Sequence, residues 1–166
     1  IPLSNPVDED STAVQLAVPS SGDFNSATVT FDSGQTAKGT FNSSNLTFTP
    51  AADFNDTVNF TITLADGTTT LPGVLVVQPV NDAPVYSAAS TTASFVENAA
   101  VTNVVHDAST GASDVDGDTL TYSISGTDAG SFDVDSASGE ITFKASPNYE
   151  TESSYSLSLT ATDGSG

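Results

Sequence analysis

TPAADFNDTVNFTITLADG (residues 49–67) returns in altered form as SPNYETESSYSLSLTATDG (residues 146–164). Both copies open on Ser/Thr-Pro before an aromatic (Phe54, Tyr149), and a second aromatic follows six residues later (Phe60, Tyr155). Both then alternate to a closing Asp-Gly. Apolar or aromatic side chains at every second position predict a half-buried strand, and Asp-Gly predicts the turn that ends it. The paired aromatics are expected in the core. Two copies imply two homologous domains, divided between Pro79 and Pro84: residues 1–80, a linker at 81–84, and residues 85–166.

The same period of two runs outward in both directions. ATVTF (27–31), NLTFT (45–49), VNFTITL (58–64) and VLVV (74–77) read as strands of the first domain. ASFV (93–96), TLTYSI (119–124), SFDV (131–134), EITF (140–143) and YSLSLTA (155–161) read as strands of the second. Turn clusters separate them, among them SSGDFN (20–25), NSSN (42–45), ADGTT, DVDGD and SASGE. No segment carries an apolar stripe at helical spacing. Many short strands between turns predict an all-β chain of two tandem Greek-key β-sandwiches. The first domain has room for seven strands ending in PGVLVVQPV. The second has no counterpart of VLVV after YSLSLTATDGSG, so it is expected to lack its last strand and to present an edge that invites self-association.

Composition narrows the function classes. Two Lys/Arg stand against 21 Asp/Glu, a formal charge of −19, which leaves almost nothing to neutralise phosphates. Nucleic acid is excluded as a partner of this surface, and anionic membranes would repel it. Charged residues are only 14% and hydrophobic ones 37%, so this is not an acidic disordered tail. No Cys is present, which removes disulfides and thiolate metal sites. No run is long and apolar enough to span a bilayer as a helix. Catalysis is a poor reading: a Ser–His–Asp arrangement would have to use His106, the single histidine, and there is no G-x-S-x-G elbow. His106 is expected to be a strand residue, and Asp133 and Asp135, which lie beside the SASG turn, to be structural.

The densest chemistry is ASDVDGDTLTYSI (112–124), with Asp114, Asp116 and Asp118 within five residues. Carboxylates at that density favour a hard cation, and calcium takes six to eight oxygen ligands. The loop is not an EF-hand: counted from Asp114, positions 6 and 12 hold Thr119 and Ser125 rather than Gly and Glu. A solvated hairpin turn is the plain alternative for Asp114 and Asp116, and turn capping for Asp82 and Asp163.

FVEN (95–98), ASDVDGDTLTYSI, FDVDSASGEI (132–141), NYE (148–150) and ATDG (161–164) resemble, in order, the motifs of the cadherin family, and VNDAP (80–84) resembles its interdomain linker. Within that family it resembles the cadherin-like repeats of bacterial surface adhesins. It covers residues 82–166 well and residues 1–80 more loosely, through PAADFND, LADG and VNDAPV.

The resemblance implies an extracellular, cell-surface extender in which calcium at the domain junction stiffens a tandem array. Its partners would be neighbouring repeats of the same polypeptide, with a distal receptor or glycan left unspecified. It implies a junction built from Glu9, Asp53 and Asn55 above, Asn81 and Asp82 in the linker, and Asp114, Asp116 and Asp163 below. Glu97, Asn148 and Glu150 would form a second half-site facing a further repeat. The linker is one residue shorter than the family's usual form, Pro79 stands where its first Asp would be, and Asn55 replaces a Glu. Glu9 also lies within VDED, where Asp8 or Asp10 offers the same chemistry. The expected complement is therefore about one or two ions. The alternative is a calcium-dependent carbohydrate-binding or homophilic module, for which Tyr86 and Tyr149 are the aromatics to inspect.

Overall fold

The computed structural model describes residues 7–16, 27–42 and 45–165. The SSGDFN cluster, and Ser43 and Ser44 of NSSN, lie outside the described residues. The chain divides into two compact units, Ile1–Val80 and Asn81–Gly166.

In the first unit, β1 (Val7–Asp8), β7 (Thr70–Gln78), β6 (Thr57–Thr63) and β3 (Thr28–Phe31) form a four-stranded sheet in the order β1-β7-β6-β3. β2 (Val14–Gln15), β5 (Thr47–Pro50) and β4 (Gly39–Asn42) form a three-stranded one. Pairing is antiparallel except for β1, which lies parallel to β7 with Val7 opposite Val77. The alternation of TVNFTIT becomes alternate burial along β6, so Val58, Phe60 and Ile62 face inward. They meet Leu75 and Val77 of β7, Phe48 of β5, and Val7 and Leu16. Phe31 packs edge-on against Phe41 at 5.7 Å between ring centroids.

β7 begins four residues before the VLVV strand expected from sequence and runs through Pro72 and Gly73. Among the described residues β1 pairs with Val77 and Gln78 alone, so Pro72 lies outside the β1 ladder and faces Thr61 of β6 on its other side. Gly73 is required there: a Cβ on it would lie 2.2 Å from the Phe60 ring.

The second unit is built from β8 (Val85–Tyr86), β9 (Val104–Asp107), β10 (Ala112–Ser113), β11 (Thr121–Ser125), β12 (Phe132–Val134), β13 (Glu140–Phe143) and β14 (Ser158–Thr162). β12-β13-β9 form one sheet, β11-β14 another, and β10 pairs with β8. Ile141, Phe132, Phe143 and Ala108 are buried, with Tyr155 against both phenylalanines at 5.2 and 5.3 Å. The Tyr86 hydroxyl donates to the Ala108 carbonyl at 2.9 Å. His106 is a β9 residue opposite Ile141, as expected.

Three expectations need correction. ASFV (93–96) is not a strand; Phe95 packs edge-on against Phe143 at 4.7 Å and is 38% exposed, and no neighbouring backbone among the described residues supplies a ladder. YSLSLTA pairs only from Ser158 onward. Of the four repeat aromatics, Phe60 is buried in its core, Phe54 (beneath the Lys38 ammonium) and Tyr155 are half-buried and packed against theirs, and only Tyr149, at 64% exposed, departs from the expectation.

Candidate metal centre

In the first unit the turn after β1 directs one carboxylate inward. Asp8 and Asp10 are exposed, while Glu9 between them is only 4% exposed. Its amide donates to the Gln78 carbonyl at 3.1 Å. Its Oε1 accepts the Val80 amide at 2.6 Å, and its Oε2 accepts from Asn55 Nδ2 at 3.1 Å. Glu9 therefore ties down the end of β7's chain. Of the three acids in VDED, it is the one placed among donors. Asp53 sits on the same loop as Asn55 in left-handed backbone (φ 58°) and is exposed.

In the second unit the linker residues are held by the acids predicted to lie below them. Asn81 Nδ2 donates to Asp163 Oδ2 at 2.9 Å, and the Asp82 amide donates to Asp116 Oδ2 at 2.8 Å. The DVDGD loop winds around Asp114: its Oδ1 accepts the amides of Asp116 at 2.9 Å and Asp118 at 3.3 Å. Gly117, at φ 78°, supplies the left-handed residue this winding needs. The other oxygen, Asp114 Oδ2, is buried without a hydrogen-bond partner. Asp163 is 8% exposed, and its Oδ1 accepts the Ser165 amide at 2.8 Å.

Those carboxylates have no help from the chain's own cations. Lys38 Nζ is bound to the Thr57 carbonyl at 2.8 Å and lies 3.9 Å from Asp56. Lys144 Nζ lies 3.7 Å from Asp133. With two Lys/Arg in the sequence, both are accounted for. Burying carboxylate without a counter-charge is costly, and a partnerless buried oxygen adds to that cost. An all-oxygen donor set of this kind fits a hard cation such as calcium.

At the other end of the second unit, Glu97 Oε2 accepts the Tyr149 amide at 3.3 Å, and Asn148 Oδ1 accepts the Glu150 amide at 3.0 Å. Glu97, Asn148 and Glu150 are thus brought to one place, but all three are exposed. Asp135 is a turn residue, its Oδ1 accepting the amides of Ser138 and Ala137, and those bonds, the Ser138 one first, hold its carboxyl below the usual range.

Sheet order, inward alternation and acid-lined loop ends define a cadherin/Ig-like β-sandwich class. Residues 91–166 match the cadherin-domain family model, and residues 2–77 match that of a bacterial Ig domain. Among solved structures, mouse cadherin-23 EC22-24 is similar at 20% identity and TM-score 0.53, covering 97% of this chain and 58% of that one. Human CDH23 EC21-23 is similar at 14% identity and TM-score 0.58, covering 96% and 62%. The mouse structure and its human counterpart are thus matched over little more than half of their own length. At these identities the likeness is one of fold. No curated protein matches the chain in sequence. A cadherin/Ig-like pair of modules is of the extracellular, adhesion type, and no helix among the described residues is long and apolar enough to cross a membrane.

Proposed function

We propose that the chain is a calcium-stiffened extender within a bacterial surface adhesin, and that its work is attachment rather than catalysis. The observation that carries this reading is the set of inward carboxylates, Glu9 in one unit and Asp114 and Asp163 in the other, with no Lys or Arg of the chain left to neutralise them. Chain connectivity supports a shared ion. The Val80 amide is held by Glu9 and the Asp82 amide by Asp116, and two residues of chain span at most about 7 Å. Glu9, Asp53 and Asn55 would donate from the first unit, Asn81 and Asp82 from the chain between, and Asp114, Asp116 and Asp163 from the second. Bound calcium supplies charge that oxygens on two separate bodies can share, which removes their mutual repulsion and fixes the angle between the bodies. Glu97, Asn148 and Glu150 would be the corresponding donors toward a neighbouring repeat.

Calorimetric titration with calcium tests this. The chain should bind in the range of about 0.1–1 mM, as extracellular modules do. Asp116→Ala should weaken binding at least about tenfold, since removing one carboxylate from a shared ion costs far more than removing it from a solvated turn. Equal affinity in the variant would reduce the loop to an ordinary turn.

A glycan-binding role has one observation in its favour, the 64% exposure of Tyr149, whose ring face is available for stacking on a sugar. Tyr86 is less favoured, being half-buried with its hydroxyl donated to the Ala108 carbonyl. Chelator-sensitive binding on a glycan array, lost in Tyr149→Ala, would favour that reading.

A further inference from the structure

Lys38 is one of two Lys/Arg in a chain with 21 Asp/Glu, yet its ammonium is turned to a carbonyl and a ring. Its backbone ends the short 3-10 turn Thr36–Lys38, immediately before β4. There the Lys38 carbonyl accepts the Ala51 amide at 2.9 Å, at the start of the 51–56 loop between β5 and β6. Gly39 permits this approach, since a Cβ on it would lie 2.4 Å from the Thr49 carbonyl oxygen. The Lys38 side chain then crosses to the far end of the loop. Its Nζ donates to the Thr57 carbonyl at 2.8 Å and lies 3.9 Å from Asp56. Between the two ends it stands over the Phe54 ring, 5.3 Å from the centroid. One residue thus holds both ends of the loop and its middle.

The loop needs such a hold. Asp53 lies in left-handed backbone at φ 58°, a conformation that is costly for a residue with a side chain. The loop's own turn, Phe54 amide to Ala51 carbonyl, is long at 3.3 Å. Asp53 and Asn55, the residues either side of Phe54, are the donors this loop would offer a cation, and Asn55 Nδ2 already reaches Glu9 Oε2 at 3.1 Å. Fixing the Phe54 ring fixes both.

We infer that Lys38 is a positioning residue for the cation site: through Phe54 it holds Asp53 and Asn55 in donor geometry without itself touching the ion. This rests on the calcium reading above. Charge and position act here with opposite signs. A lysine near a cation site repels the cation, so if charge were its whole effect, removing it would tighten calcium binding. A brace has the reverse consequence. Without it the ion must order the loop on binding, and affinity falls.

Calcium calorimetry on the full chain and four variants, at a temperature where all are folded, tests this. Lys38→Met keeps the stem and loses the charge, and it should bind about tenfold more weakly. Lys38→Arg keeps a cation over the ring and a donor for Thr57, and it should stay within about threefold of the unsubstituted chain. Phe54→Leu leaves every charge in place and should weaken binding too. Lys144→Met makes the same change in net charge in the second unit, beside Asp133 and Gly130, and should bind no more weakly than the unsubstituted chain. A second measurement needs no calcium. Amide exchange at Phe54 and at Val77, which donates to the Asp56 carbonyl at 2.9 Å, should quicken in Lys38→Met and not in Lys38→Arg. Unweakened binding by Lys38→Met or Phe54→Leu, equal weakening in Lys38→Arg and Lys38→Met, weakening by Lys144→Met, or unchanged exchange would each overturn the inference. Those results leave the extender reading standing, whereas an unsubstituted chain that takes up no calcium would overturn that reading and this inference together.

Discussion

Asp66 and Asp163 both precede the Gly that closes a copy of the repeated motif, yet they do different things. Asp66 is exposed and accepts the Thr68 and Thr69 amides and the Thr69 hydroxyl. Those bonds, the hydroxyl's first, lower its carboxyl pKa to about 2. Because the folded value lies below the roughly 4 of an unfolded aspartate, the turn's contribution is complete above pH about 4. It fades as pH falls through about 2. An NMR titration should place the Asp66 midpoint near that value, and Thr69→Val should raise it; an ordinary midpoint would remove the hydroxyl from the account. Asp163 instead is buried and holds Asn81 and Ser165. The sequence shows the same dipeptide twice. What separates the two is the packing of distant residues, Asn81 being 82 positions away, and no local pattern carries that. The same limit applies at VDED: three acids in a row offer equal chemistry, and only the inward turn after Val7 selects Glu9.

Among the elements, alternation was a sound guide wherever a strand had neighbours. VNFTITL and EITF became β6 and β13 within a residue or so. ASFV carries similar residues and forms no strand, since a strand is a property of the ladder and its neighbour there is absent among the described residues. At β7 the error ran the other way. Pro72-Gly73 reads as a break, but the strand continues because the Phe60 ring occupies the space a side chain at position 73 would need. Gly73→Ala should therefore destabilise the first unit by about 1–3 kcal/mol through overpacking. Phe60→Leu in the same chain should recover part of that loss, so the double variant would melt above the sum of the two single effects. Additive losses in urea unfolding would show that the ring is free to move aside.

At the scale of the whole molecule, the decisive quantity is a charge of −19 carried with two Lys/Arg. Self-repulsion of this size favours separation of charged bodies, and monovalent salt screens it over about 10 Å at 0.1 M. Screening and bridging are different acts. Sodium chloride weakens repulsion between carboxylates everywhere but ties no two of them together, whereas a divalent ion held by oxygens of both units restricts the angle between them. The extender reading thus predicts a result that charge alone does not. In small-angle scattering at constant ionic strength, calcium should narrow the distribution of interatomic distances relative to chelator. Sodium chloride raised to about 0.5 M without calcium should not reproduce the narrowing. Asp116→Ala should shift the calcium dependence to higher concentration in parallel with its loss of affinity. If the profiles with calcium and chelator coincide, the chain is a flexible pair of sandwiches, and its acidic loops serve solubility rather than stiffness.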